Sequence, residues 1–581
     1  VSSLPKSLRK VQKRFQSEMA DVFNRKKVPS SKYSHFDGVL GFKGVYDYND
    51  LQKYGESGVF GNLNEEIIDQ TRNETDWNEE NVLKLLRNID LLTDVHNRFK
   101  MSYTVCSEYS ENENWTNAVD ENEPFTPDTV FYKTRGSFKQ AAFSIRNNNE
   151  LISKFPFEDQ KAISTYLTIP PDHIAKNAIL KDYEDAKAQL TYSLKNESTT
   201  RLDDVYDKIT NVDTCIRMMD DWAAISGYSS YFEYKGVHNV DYFNSVNNAM
   251  EFLANTKRKI ENLNLIPDYE TRAALEYKLS KYFTLGNCMD GLYLLAKNVF
   301  GIKLIPTTVP DGEIFQCNRL ELVDDKTNEL LGIAYLDIYG DDDIQPTSFG
   351  LRHSTECNEW SVPLSYTKLN FDPSTSTNTL LLSEVSNLFH EFGHILQDVL
   401  SRTKYHYCAG GKESSDFVEI PSTLMELFLR DYNFVSQFAK HNGTPLPKHT
   451  FEDFKKHHAA VSLSGDSRII MRSQFDLALY GNLYPGESLL NIEKKYMTGS
   501  PLEPEEYADF VYRPCVEYSY ILGDVLSSGL YRHYFGNDNL NNENGMKFRN
   551  DILSKGISYP IKETIDSILG DKSLDIDAYL E

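Results

Sequence analysis

The strongest constraint on this chain is a helix-patterned segment, residues 383–400, that contains the sequence His-Glu-Phe-Gly-His. Its apolar side chains recur at three- and four-residue spacing, which is typical of an amphipathic helix. His390 and His394 are four residues apart, so they share one face and can bind the same ion. Neutral imidazoles are good zinc ligands. Glu391 is placed to accept a proton from an attacking water without binding the metal.

A chance match to this pattern is conceivable in a chain with 13 histidines, so a third ligand is needed. Residues 415–428 predict a second helix, with Ser415 or Asp416 as its cap and Pro421 near its first turn. Catalytic zinc sites use three protein ligands and keep one position open.

Two carboxylates interrupt the apolar surface of this second helix. Glu419 and Glu426 are seven residues apart, which places them two turns apart on one face. A carboxylate on such a surface is costly unless it is paired or metal-bound. We therefore predict Glu419 as the third metal ligand and expect Glu426 or Asp416 to orient the ligands by hydrogen bonds.

Composition excludes several classes of function. The net charge of -25 argues against nucleic acid as a partner, and it is explained either by attraction of basic peptides or by ordinary solvated surface. The seven cysteines are scattered without a CxxC pair, which argues against a disulfide framework and favours a reducing compartment. No apolar run is long enough for a membrane span. The first 27 residues are basic, which fits either the neighbourhood of an organellar targeting segment or an ordinary amphipathic helix.

The apolar pattern predicts a mainly α fold. We divide the chain into an N-terminal helical region, residues 1–210, and a catalytic region, residues 211–581. One β-hairpin is predicted over residues 314–339. Further patterns predict helices over residues 242–263, 271–300 and 518–534, and a helical region from about residue 379 onward.

These motifs resemble the thimet oligopeptidase family of zinc metallopeptidases, most closely its mitochondrial intermediate peptidase branch. The likeness rests on Leu-Phe-His-Glu-Phe-Gly-His at residues 388–394 and Asp-Phe-Val-Glu-Ile-Pro-Ser at 416–422. It extends from about residue 220 to 535 and is weak over residues 45–200.

The resemblance implies a two-lobed helical ellipsoid with a deep central channel and a small β-sheet beside the helix that carries the histidines. It implies Zn²⁺ held by His390, His394 and Glu419, with Glu391 as general base. The implied substrates are short or unfolded peptides. In this branch the reaction removes an N-terminal octapeptide from imported precursors in the mitochondrial matrix.

The chain departs from the family where transition-state donors are expected. Aligning Tyr518-Ser-Tyr520 with the family's Tyr-x-Tyr identifies Tyr520 as one catalytic tyrosine. Other donor positions become Asp509, Arg513 and Glu517. An ionised carboxylate is unfavourable beside a developing oxyanion.

Two further hypotheses therefore stay open beside an active zinc endopeptidase. A catalytically degenerate member would bind peptides or serve as a structural subunit of a mitochondrial assembly. A cytosolic oligopeptidase would trim short peptides.

Overall fold

The computed structural model describes most of the chain, in twelve stretches. These are residues 50, 59–109, 135–167, 202–225, 227–238, 242–243, 245–307, 318–339, 345–371, 379–411, 414–503 and 506–581. The basic segment at residues 1–27 lies outside them.

Helices dominate the described residues, in agreement with the predicted fold class. Before the sheet they are α1 (Val59–Asn73), α2 (Glu79–Tyr109), α3 (Arg135–Arg146), α4 (Asn149–Ile152), α5 (Phe157–Tyr166), α6 (Leu202–Ile225), α7 (Tyr231–His238), α8 (Val246–Asn262), α9 (Tyr269–Ser280) and α10 (Leu285–Asn298). After it come α11 (Leu382–Leu400), α12 (Ser415–Leu427), α13 (Tyr432–Phe438), α14 (Lys448–Tyr480), α15 (Leu489–Tyr496), α16 (Glu506–Tyr512), α17 (Glu517–Phe535), α18 (Asn542–Phe548), α19 (Ile561–Leu569) and α20 (Ile576–Leu580).

A small sheet lies beside α11. Its strands are β1 (Ile302–Thr307), β2 (Asn318–Asp324), β3 (Leu330–Tyr339), β4 (Thr347–Arg352) and β5 (Leu364–Phe371). They run in the order β1-β2-β3-β5-β4, with β3 and β5 parallel and the other pairs antiparallel. The predicted hairpin is β2 and β3, and a second hairpin of two-residue strands, β6 (Lys440–His441) and β7 (Thr444–Pro445), stands apart from the sheet.

Helix α11 packs closely on this sheet because a glycine faces it. A β-carbon at Gly332 of β3 would lie 2.6 Å from Val399 of α11. The helix is amphipathic, and its buried side chains include Leu388, Phe392 and Val399. Burial of these side chains against β3, β4 and β5 fixes the helix that carries the two histidines.

The N-terminal helices contact the connection between α11 and α12. Asp90 of α2 is fully buried and accepts a hydrogen bond from the backbone N–H of His406 at 2.6 Å. Asp159 of α5 accepts hydrogen bonds from Lys404 at 2.7 Å and from the hydroxyl of Tyr405 at 2.6 Å. Two N-terminal carboxylates therefore hold the segment that joins the two helices.

Two sequence predictions are wrong in detail. The helix predicted over residues 271–300 is interrupted between α9 and α10. There the backbone of Phe283 accepts a hydrogen bond from Leu380 at 2.7 Å, so pairing with a distant segment outweighs local helix propensity. Pro421, expected in the first turn, lies in the interior of α12, and Ser414 occupies the cap position.

None of the helices in the described ranges has the length and apolar character that a bilayer span requires.

Candidate metal centre

Three predicted ligands converge where α11 meets α12. The nearest carboxylate oxygen of Glu419 lies 3.3 Å from Nε2 of His390 and 3.5 Å from Nε2 of His394. One ligand atom from each of the three residues lies within 4.8 Å of the others. The structure thus brings together on two helices the three residues that the sequence predicted.

A glycine lets these two helices approach. A β-carbon at Gly393 would lie 2.5 Å from the carbonyl oxygen of Pro421 and from Cα of Ser422. Both atoms belong to the backbone, so they can move only if α12 itself is displaced. Glu419 lies one turn earlier on α12, and the close contact therefore sets its distance from the histidines.

A second carboxylate fixes the orientation of the first histidine. Oε1 of Glu426 lies 2.7 Å from Nδ1 of His390, and its other oxygen accepts a hydrogen bond from Ser386 at 2.5 Å. This contact leaves Nε2 of His390 for the metal. The sequence predicted either Glu426 or Asp416 as the residue that orients a ligand, and Glu426 has this role. Asp416 instead accepts hydrogen bonds from the backbone of Tyr242 and the hydroxyl of Tyr518.

Glu391 faces the sheet side of the site. It is buried, and its Oε2 accepts a hydrogen bond from the hydroxyl of Ser348 in β4 at 2.5 Å. The Ser348 oxygen lies 2.7 Å from the hydroxyl of Thr367 in β5. Two strands therefore fix the carboxylate of Glu391 beside the ligand cluster.

The electrostatics of the site follow from burial and from these contacts. Burial disfavours a charged His390, but hydrogen bonds to Glu419 and Glu426 outweigh it and raise the pKa of His390 to about 11. Burial would raise the pKa of Glu419, but the hydrogen bond to His390 and the charge of His394 lower it to about 2. Burial raises the pKa of Glu391, and the hydrogen bond from Ser348 partly opposes this.

The donor set fits a zinc ion. Two ligand atoms at about 2.1 Å from one tetrahedral ion lie about 3.4 Å apart. The distances of 3.3 Å and 3.5 Å from the Glu419 oxygen to the two imidazole nitrogens match this spacing. Two imidazoles and one carboxylate also form a typical catalytic zinc set, because the fourth position stays open.

Tyr520 lies in the first turn of α17, a helix that packs against α12. Its hydroxyl oxygen accepts a hydrogen bond from Arg513 at 2.5 Å. One turn later, a β-carbon at Gly523 would lie 3.3 Å from Cβ of Glu419. The helix that carries Tyr520 therefore contacts the residue predicted as third ligand.

Three acidic residues at the start of α16 and α17 share one arginine. Arg472 of α14 donates to Glu506 at 2.6 Å, to Asp509 at 2.9 Å and to Glu517 at 3.1 Å. Neither Arg472 nor Ser348 was identified from the sequence. Arg468 and Arg472 are four residues apart, but nothing in the sequence links them to residues 506–517. Ser348 carries no motif at all.

Comparison with known proteins agrees with this site. The sequence model of Peptidase family M3 matches residues 195–580. Human mitochondrial intermediate peptidase is 30% identical over 300 residues, which covers 47% of this chain and 41% of that protein. The enzyme of the same name from Schizosaccharomyces pombe is 24% identical over 371 residues, covering 52% and 48%. The chain thus matches about half the length of these curated relatives.

Structural comparison shows the same fold. A solved structure of Pyrococcus furiosus carboxypeptidase aligns with a TM-score of 0.54 at 14% identity, covering 87% of this chain and 98% of that one. At that identity the likeness concerns the fold alone. The family match covers more than half of the chain and includes both helices of the site. The chain therefore belongs to Peptidase family M3.

Proposed function

We propose that this protein is a zinc-dependent endopeptidase that cleaves short or unfolded peptides. The observation that carries the proposal is the convergence of His390, His394 and Glu419, with ligand atoms within 4.8 Å, beside the buried carboxylate of Glu391. A zinc ion held there would supply Lewis-acid polarisation of the scissile carbonyl.

In this proposal Glu391 acts as the general base. Its carboxylate takes a proton from the attacking water while the water oxygen bonds to the carbonyl carbon. The proton then passes from Glu391 to the peptide nitrogen as the C–N bond breaks. Burial raises the pKa of Glu391 above that of an exposed glutamate. Ser348 keeps the carboxylate oriented, and Tyr520 is proposed to donate a hydrogen bond to the oxyanion.

The finer proposal concerns substrate and compartment. It is the removal of an N-terminal octapeptide from imported precursors in the mitochondrial matrix, and relatives named mitochondrial intermediate peptidase support a mitochondrial peptidase. We also propose residues 211–581 as the catalytic region and residues 1–210 as a helical region beside it. The family match from residue 195 onward supports that division.

The test compares the zinc-loaded protein with Glu391→Gln on fluorogenic peptides that carry presequence-like cleavage sites. The variant is expected to lose at least about a hundredfold in kcat while keeping one zinc per chain. Glu452→Gln, on the exposed side of α14, is the matched control. Turnover that persists in Glu391→Gln would overturn the assignment. For the octapeptide, mass spectrometry of the products must find an eight-residue fragment.

A second candidate is a degenerate member that binds peptides or takes part in a protein assembly. The observation in its favour is that Asp509 and Glu517 stand at positions where the family has transition-state donors. Peptide binding at one zinc equivalent, with no turnover in either protein, would support it.

A further inference from the structure

The departure of this chain from the family includes an arginine that contacts the proposed catalytic tyrosine. Arg513 lies in the short connection between α16 and α17. Its guanidinium donates to the hydroxyl oxygen of Tyr520 at 2.5 Å. The guanidinium carbon lies 5.5 Å from the centre of the Tyr520 ring. The arginine is exposed, whereas Tyr520 is half-buried. The pair therefore stands at the boundary between the site and solvent.

The direction of this hydrogen bond determines what the tyrosine can do. A phenol has one hydrogen, and a guanidinium has only donors. Arg513 must therefore donate to the oxygen, and the O–H hydrogen of Tyr520 is not used in this contact. A hydroxyl whose oxygen accepts a charged hydrogen bond is a stronger donor, because hydrogen bonds in a chain polarise one another.

The helix face that carries Tyr520 packs against α12. Tyr520, Gly523 and Ser527 lie on one face of α17. A β-carbon at Gly523 would lie 3.3 Å from Cβ of Glu419, and Ser527 donates to the carbonyl of Ile420 at 3.0 Å. Three residues of helix, about 4.5 Å of rise, separate Tyr520 from Gly523. The face that carries the tyrosine is thus the face packed on the metal-ligand helix.

The neighbouring carboxylates have another partner. Asp509 and Glu517 are both hydrogen-bonded to Arg472, at 2.9 Å and 3.1 Å. Arg472 also binds Glu506, so one buried guanidinium neutralises much of this acidic cluster. The side chain of Arg513 donates to the tyrosine, and its backbone N–H donates to the carbonyl oxygen of Asp509 at 2.8 Å.

We propose that Arg513 is a positioning residue that holds Tyr520 and strengthens its hydroxyl as a hydrogen-bond donor to the tetrahedral oxyanion of peptide cleavage. This inference rests on the proposed peptidase function. It assigns to an arginine, acting through Tyr520, a part in stabilising the oxyanion.

The experiment measures binding of a phosphinic peptide, whose tetrahedral phosphinate mimics the oxyanion, to the zinc-loaded protein by calorimetry. The variants are Arg513→Met, Arg513→Lys, Tyr520→Phe and the double variant Arg513→Met/Tyr520→Phe. Arg217→Met is the control, because the side chain of Arg217 is 64% exposed and pairs with Asp213 one turn earlier in the same helix. Zinc content and melting temperature are measured for each protein.

Arg513→Met is expected to weaken phosphinate binding roughly tenfold or more, with Arg513→Lys in between. In the Tyr520→Phe background, the same change is expected to have little further effect, because both residues act through one hydroxyl. Where peptides are cleaved, kcat falls in parallel and KM stays within about twofold.

Equal phosphinate binding by wild type and Arg513→Met overturns the inference. So do additive losses in the double variant, or the absence of phosphinate binding by wild type. Phosphinate binding that depends on Arg513 in a protein that cleaves no peptide would keep this inference and reject the proposed peptidase activity.

Discussion

Nδ1 of His390 and Oε1 of Glu426 lie 2.7 Å apart, on α11 and α12 respectively. The contact fixes the ring of His390 so that Nε2 faces Glu419. Because the carboxylate also accepts a hydrogen bond from Ser386, it is itself held in place.

Replacing Glu426 by alanine is expected to weaken zinc affinity by about 10- to 100-fold, since His390 loses the group that orients it. Competition against a chromophoric chelator measures the affinity. Glu452→Ala, on the exposed side of α14, should leave the zinc affinity unchanged. Equal affinity in Glu426→Ala and wild type would show that the hydrogen bond does not support the metal site.

Ser348→Ala removes the hydrogen bond that Glu391 accepts from β4. We expect kcat for peptide cleavage to fall roughly tenfold, as for loss of one hydrogen bond to a charged group. Zinc content should be unchanged, because no ligand is touched. Thr347→Ala is the matched control, since the neighbouring side chain is exposed and points to the opposite face of the strand. A similar fall in both variants would contradict a specific role for Ser348.

Gly393→Ala places a methyl group 2.5 Å from the backbone of Pro421 and Ser422. Separation of the two helices should cost about 1–3 kcal/mol of unfolding free energy and weaken zinc binding. Gly465→Ala, inside α14 with open space around the new methyl group, should instead stabilise by about 0.5–1 kcal/mol. Denaturant unfolding with and without zinc separates the two effects. Equal stability of the two variants would argue against the close helix contact.

We expect the free energy of unfolding to depend on pH through the buried carboxyl of Asp476. Burial raises the pKa of this carboxyl to about 7, although the backbone N–H of Cys515 donates to it at 3.2 Å. The folded state therefore binds a proton more tightly than the unfolded state, and stability falls as pH rises from about 4 to about 7. Asp476→Asn removes this loss.

The gain in stability of Asp476→Asn over wild type should increase across that window, reach at most about 4 kcal/mol, and stay constant above it. Melting temperatures at pH 5, 6, 7 and 8 measure the trend. Asp453→Asn, exposed on the same helix, should show no such increase. A gain that does not change with pH would show that Asp476 is ionised at little cost.

The sequence predicted the parts of the site that depend on local spacing. His390 and His394 share a face because they are four residues apart, and Glu419 follows on a helix whose pattern is equally regular. Glu426, the partner of His390, was one of two candidates from the sequence, whereas Ser348 and Arg472 could not be predicted, since they reach their partners only through tertiary packing. The interruption between α9 and α10 has the same origin, because Phe283 pairs with Leu380 almost a hundred residues away.

The hydrogen bonds from Asp90 and Asp159 have a practical consequence for making smaller versions of this protein. A fragment trimmed to the family match, residues 195–580, would lack both carboxylates and so release Lys404, Tyr405 and His406. That segment connects the two metal-ligand helices. In the family-matched portion alone, the segment between the two metal-ligand helices would therefore lose these hydrogen-bond partners. The N-terminal helices belong in any minimal fragment intended to keep the metal centre.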